Sequence, residues 1–216
     1  MNKYLKNLNR IEFVVTMSCT GKCKHCSQGE HKSAERIDKD SAVYAVKKIA
    51  EKYNISSVMT FGGEPLLCVD TVCAIHKTAR EMNIAKRQLI TNGYFSENTD
   101  KIKEVAMKII ESGVNEILVS ADCFHQETIP LEYVKAFAEA IFENGVDIRV
   151  QPAWLVSPES DNPYNRKTKE ILSIIKPPAM PVVFLYSKKP SALFTQRAFL
   201  LFSQNQICSS TENSSS

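Results

Sequence analysis

The stretch IEFVVTMSCTGKCKHC, residues 11–26, decides how this chain is read: a short β-forming run, 11–16, leads directly into three cysteines, Cys19, Cys23 and Cys26. The run is rich in Val, Ile, Phe and Thr, as buried strands are. The spacing C-x3-C-x2-C offers three thiolates from one loop. A cubane iron–sulfur cluster normally takes four cysteines, so a set of three leaves one iron with an open position, and an open position is where a metal site takes its ligand. Two other chemistries use the same residues. Zinc wants a fourth Cys or His, and a second C-x2-C pair is missing, although His25 or His31 lies near enough in sequence to fill in. A dithiol oxidoreductase would use Cys23 and Cys26 alone and leave Cys19 without a role.

Outward from this stretch, β-rich runs alternate with helical patterns as far as residue 176. Strands are expected at 11–16, 57–61, 87–91, 116–121 and 147–151. Apolar residues at helical spacing separate them: Ala42, Val43, Val46, Ile49, Ala50; Val72, Ile75, Ala79, Met82; Ile102, Val105, Ala106, Ile109, Ile110; Val134, Phe137, Ala138, Ile141, Phe142. Ile171, Leu172 and Ile175 suggest a fifth helix. Gly113 and Gly145 follow the last apolar positions of their helices, where a left-handed residue ends the turn, and Pro177-Pro178 stops the fifth. Strands joined by helical crossovers run parallel, so this is an α/β protein with five βα units. The first unit is the longest because of a polar connection, 17–37, without helical or strand period. Loops of that length in a compact domain are usually functional or disordered, and this one carries the three cysteines.

In parallel α/β folds the site forms at the carboxyl ends of the strands. Gly62-Gly63-Glu64-Pro65 ends the second strand, Thr91-Asn92-Gly93 the third and Ser120-Ala121-Asp122 the fourth. Glycines permit a tight turn or a close approach of ligand to backbone. Asn-Gly is itself a turn signal, and Ser and Asp also cap helices. On a strand ending at 121, Ser120 and Asp122 would point to one face.

These motifs, in this order, together with His25 just before the last cysteine, resemble the radical S-adenosylmethionine (radical SAM) superfamily over residues 11 to about 152. The resemblance implies a partial parallel (βα) barrel. It implies that Cys19, Cys23 and Cys26 ligate a [4Fe–4S] cluster, and that Gly62, Gly63, Glu64, Asn92, Ser120 and Asp122 line the S-adenosyl-L-methionine that chelates its open iron. It further implies reductive cleavage to a 5′-deoxyadenosyl radical, hydrogen abstraction from an unassigned substrate, and a one-electron reductant such as flavodoxin or ferredoxin. His125, on the loop after the fourth strand with Cys123, is a candidate catalytic proton or hydrogen relay; a loop histidine is also an ordinary polar surface group. Cys68, Cys73 and His76 read as core residues of the second helix. Lone Cys208 does not support an auxiliary cluster.

Two divisions are expected: 1–176 as the barrel unit, and 177–216 as an irregular tail. The tail is proline-rich and lacks acidic residues between Glu170 and Glu212. It holds a candidate sixth strand at 182–186 and ends in Ser-rich sequence. It reads as mobile or as a truncation, and a truncated chain would be a non-catalytic remnant still able to bind cluster and cofactor. The 216 residues suffice for one domain with a real core. Acids and bases are interspersed at a net charge of +3, with no basic stripe for nucleic acid. No signal peptide or run long enough to span a bilayer is visible. Seven cysteines, three of them crowded, fit metal ligation in a reducing, cytoplasmic setting better than disulfides.

Overall fold

A computed structural model describes residues 7–26, 33–175 and 198–200. Strands and helices alternate as β1 (Arg10–Val14), α1 (Lys39–Lys52), β2 (Ser57–Phe61), α2 (Val69–Glu81), β3 (Lys86–Thr91), α3 (Thr99–Ser112), β4 (Glu116–Val119), α4 (Leu131–Glu143), β5 (Asp147–Val150) and α5 (Pro163–Ile175), followed by β6 (Ala198–Leu200). The strands form one sheet in the order β5-β4-β3-β2-β1-β6, every pair parallel. The expected sixth strand at 182–186 lies outside the described residues. The sixth strand that is described sits at Ala198–Leu200, in sequence without clear period, and pairs with β1 through Ile11↔Ala198 and Phe13↔Leu200.

Alternation along each strand separates two faces. Ile11, Phe13, Val58, Leu89, Ile117, Val119, Ile148 and Val150 point under the helices and are buried with Val46, Ile75, Ile109 and Phe137. Each such side chain contributes about 1.5–3 kcal/mol by leaving water, which is why the helical and strand periods were legible. The opposite face starts with a polar row, in which register aligns Glu12, Met59, Gln88, Glu116 and Asp147. Arg10 donates to Glu12 at 2.6 Å and Gln88 at 2.7 Å, and Gln88 donates to Glu116 at 2.9 Å. Closer to the carboxyl ends come Val14, Phe61, Ile90 and Leu118, only partly covered. Charge thus closes the amino end of this face, and its apolar middle leads to the strand ends that carry the motifs.

Helix ends are built as the sequence suggests. Asp38 caps α1 through Ser41 N–H at 2.8 Å, and α3 ends on Gly113 at φ +101°, a conformation that only glycine adopts without strain. Among the described residues no helix is long and apolar enough to cross a membrane.

Candidate metal and cofactor site

The cysteine loop is closed at its base. Thr16 and Arg36 form an antiparallel bridge, Met17 N–H donates to Glu35 O and Ile37 N–H to Val15 O, each at 2.9 Å, and the Thr16 and Ser18 hydroxyls reach Glu35 O (2.9 Å) and Ser33 O (3.0 Å). A segment without internal period is therefore held by pairing its two ends. The entropic cost of bringing such ends together grows only slowly with the length between them.

The loop rests on the end of β2. A Cβ on Gly63 would lie 2.0 Å from Ser18 O, and one on Gly62, at φ +146°, would lie 2.4 Å from Thr16 O. Gly63 N–H donates to Thr16 O (2.8 Å) and Glu64 N–H to Ser18 O (2.7 Å). The close approach that these glycines permit is that of the cysteine loop's own backbone. The Glu64 side chain points inward, fully buried, and accepts from Leu66 N–H (2.9 Å), the Thr91 hydroxyl (2.7 Å) and Asn92 N–H (2.8 Å). Burial pushes its pKa up to about 7 against the pull of those three bonds. Its geometry is that of a tie between the ends of β2 and β3.

Asn92 turns from β3 back to the cysteines. Its Oδ1 accepts from Tyr94 N–H (2.8 Å), and its Nδ2 donates to Thr20 Oγ1 (3.2 Å) and Cys19 Sγ (3.6 Å). Gly21 N–H also donates to Cys19 Sγ, at 3.4 Å.

The segment between β4 and α4 clasps the loop from the other side. Lys22 N–H donates to Thr128 Oγ1 (3.0 Å), Lys24 pairs with Glu127 (2.9 Å), and the His25 ring meets Phe124 at 5.2 Å and His125, edge-on, at 4.6 Å. Asp122 holds this clasp together. Its Oδ1 accepts from Phe124 N–H (2.8 Å) and His125 N–H (3.0 Å), and its Oδ2 from His125 Nδ1 (2.7 Å) and Ala153 N–H (2.8 Å). A carboxylate has about four acceptor positions, so this one is filled by the protein. Burial alone would raise the Asp122 carboxyl; His125 and the Ala153 N–H outweigh it and hold the pKa below the usual value. β4 ends at Val119, so the strand alternation that would put Ser120 and Asp122 on one face stops before either. Ser120 is half-buried and extends the β3–β4 ladder through its N–H to Thr91 O (2.9 Å).

Two side-chain relationships were not legible in the spacing. His25, Asp122 and His125 bring ligand-type atoms within 4.8 Å of one another; the only local signal is the Asp-x-x-His pair at i, i+3. On α2, His76 is fully buried against Thr60 Oγ1 at 2.9 Å, and burial followed by the charge of Arg87 pushes its pKa down to about 3. It is a neutral core histidine, whereas Cys68 and Cys73, read as core thiols, are only partly buried. Cys73 donates to Lys108 O, on the helical side of the sheet.

The donor set fits an iron–sulfur cube. Three thiols share a loop fixed on three sides, and N–H groups point at Cys19 Sγ, the kind of donor that cluster sulfurs take. Zinc, with Zn–S near 2.3 Å, would draw its sulfurs to about 3.8 Å apart. The set of three ligand atoms within 4.8 Å among the described residues is His25–Asp122–His125 and does not include the cysteines.

Fold and site together define a partial parallel α/β barrel whose first strand opens into a supported cysteine loop. The chain belongs to the radical SAM superfamily, whose family model matches residues 13–172. The probable GTP 3′,8-cyclase of Methanocaldococcus jannaschii is 28% identical over 127 residues, covering 58% of this chain and 40% of that protein. Among solved structures the fold is similar to anSMEcpe with bound AdoMet (TM-score 0.57, 18% identity, 77% of this chain and 48% of that one). It is also similar to Streptococcus suis SuiB bound to precursor peptide SuiA (TM-score 0.60, 14% identity, 79% and 38%). The chain spans less than half the length of the curated relatives it matches, from 39% to 49%.

Proposed function

We propose that residues 1–176 form the cofactor-binding core of a radical SAM enzyme, with Cys19, Cys23 and Cys26 as the cluster ligands. A [4Fe–4S] cluster held there would supply the one-electron reduction of S-adenosylmethionine, drawing on a flavodoxin- or ferredoxin-like donor, that radical hydrogen abstraction from a substrate requires. The observation that carries this reading is the triple support of the cysteine loop, by Gly62 and Gly63 after β2, Asn92 after β3 and Thr128 before α4.

The chain's own residues divide the remaining work. Gly62 and Gly63 seat the loop, and Glu64 ties the seat to β3. Ser120, half-buried just after β4, is the polar side chain in this set that makes no side-chain hydrogen bond among the described residues, and so the one best placed to meet the cofactor. Asp122, with all its acceptor positions filled, acts on His125 rather than on the ligand. Its bond to Nδ1 puts the ring proton there and leaves Nε2 as an acceptor, so His125 serves as proton acceptor or donor on the substrate side.

The test is anaerobic reconstitution with ferrous iron and sulfide. The brown absorbance and reduced-state paramagnetic signal of a [4Fe–4S] cluster are expected, followed by 5′-deoxyadenosine when S-adenosylmethionine and dithionite are added. GTP, after the Methanocaldococcus relative, is the first substrate to include. A protein that binds zinc and no iron overturns the assignment. A cluster without 5′-deoxyadenosine overturns the catalytic part of the assignment and leaves cluster binding.

A further inference from the structure

We infer that Asn92 is a positioning residue for the metal ligand Cys19: its side-chain amide donates an N–H···S hydrogen bond that raises the reduction potential of the cluster. This rests on the cluster reading above and goes beyond it.

The orientation of the amide is fixed by its neighbours. Tyr94 N–H is a donor, so the atom 2.8 Å away must be Oδ1. The Thr20 hydroxyl donates to Tyr94 O at 2.6 Å, which leaves its oxygen to accept from Nδ2 at 3.2 Å. The ring of bonds closes only with Nδ2 on the cysteine side, 3.6 Å from Cys19 Sγ. Asn92 is 6% exposed and its own N–H is held by the buried Glu64 at 2.8 Å, so the donor end of the bond is shielded from water.

A reduced cluster carries one more negative charge, spread partly over its cysteine sulfurs. A donor aimed at a sulfur stabilises the reduced form more than the oxidised one, and low local polarity strengthens that preference. Removing the donor lowers the potential.

The test is a redox titration of the reconstituted full chain followed by paramagnetic resonance, on wild type, Asn92→Asp and Asn92→Ser. Asp keeps the acceptor for Tyr94 N–H and replaces the donor by a charge. Ser satisfies Tyr94 N–H through its hydroxyl and is too short to reach the sulfur. Both variants should titrate at more negative potential than wild type, Asp by the larger shift. A variant that holds four irons at the wild-type potential overturns the inference. If neither variant holds iron, wild type grown with asparagine labelled by nitrogen-15 in the side chain decides: a nitrogen-15 coupling to the cluster supports the bond, and its absence overturns it. Failure of wild type itself to form a cluster is a different result, since it removes the cluster reading rather than the role of Asn92.

Discussion

At the scale of single residues, the three cysteines announce themselves by spacing, but what supports them does not. Cys23→Ala removes one of three thiolates and should abolish iron retention after reconstitution, whereas Cys73→Ala, on α2 and bonded to Lys108 O, should leave iron content unchanged. Iron and sulfide analysis of both variants checks this. Gly63→Ala drives a methyl into Ser18 O at 2.0 Å, backbone against backbone. It should cost about 1–3 kcal/mol in urea unfolding and reduce iron loading, because strand end and loop must separate. Glu64 predicts a pH effect. Its folded pKa, about 7, lies above the ordinary carboxylate value of 4.5, so the folded state binds the extra proton between those values. The contribution of this group to stability is therefore greatest at the acid end, falls as pH rises through the window and is flat above it. The change is on the order of 3 kcal/mol. Glu64→Gln should lack that slope when both proteins are unfolded in urea between about pH 5 and pH 8. The glycines at 62 and 63 were readable as a close approach, yet what approaches them was not, because the partner is backbone a long way off in sequence. The bonds that Asp122 accepts were not legible for a related reason: its direction depends on β4 stopping at Val119, and strand ends are the least legible part of a sequence.

At the scale of elements, strands and helices were visible because burial beneath one face of the sheet imposes period on both. The cysteine loop had no period to show, since many of its described hydrogen bonds run between its own ends and to the segments after β2, β3 and β4. The clasp before α4 is such an element, organised by one carboxylate. Asp122→Ala removes the acceptor from three backbone N–H groups and the His125 ring. At about 1–3 kcal/mol for each buried group left unsatisfied, with partial relaxation, the loss should exceed about 3 kcal/mol. Thr128→Val is the milder probe. It deletes only the acceptor for Lys22 N–H, so global stability should stay within about 0.5 kcal/mol while trypsin cuts faster after Lys22 and Lys24 in the metal-free protein. Equal cleavage of wild type and variant would mean that the clasp does not hold the loop.

At the scale of the whole molecule, the sheet divides its non-helical face into a charged amino end and an apolar middle. The charged row was lost in the sequence because Glu12, Gln88 and Glu116 sit singly within runs of strand-forming residues, and only register across strands brings them together. Glu116 is the hub, accepting from Gln88 (2.9 Å) and pairing with Lys86 (2.8 Å) and Arg149 (3.4 Å). Glu116→Ala should destabilise by about 1–3 kcal/mol in urea titration, mostly through the buried Gln88 amide left without its acceptor. Contacts that span the chain also set an order of events during synthesis. Cys19 meets its amide donor 73 residues further on, and Lys22 meets Thr128 across 106. A nascent chain carrying only the cysteines outside the ribosome therefore presents them on an unsupported tether. Productive iron delivery is therefore expected only once translation has passed the fourth strand, an order that iron loading of chains arrested before and after that point would check.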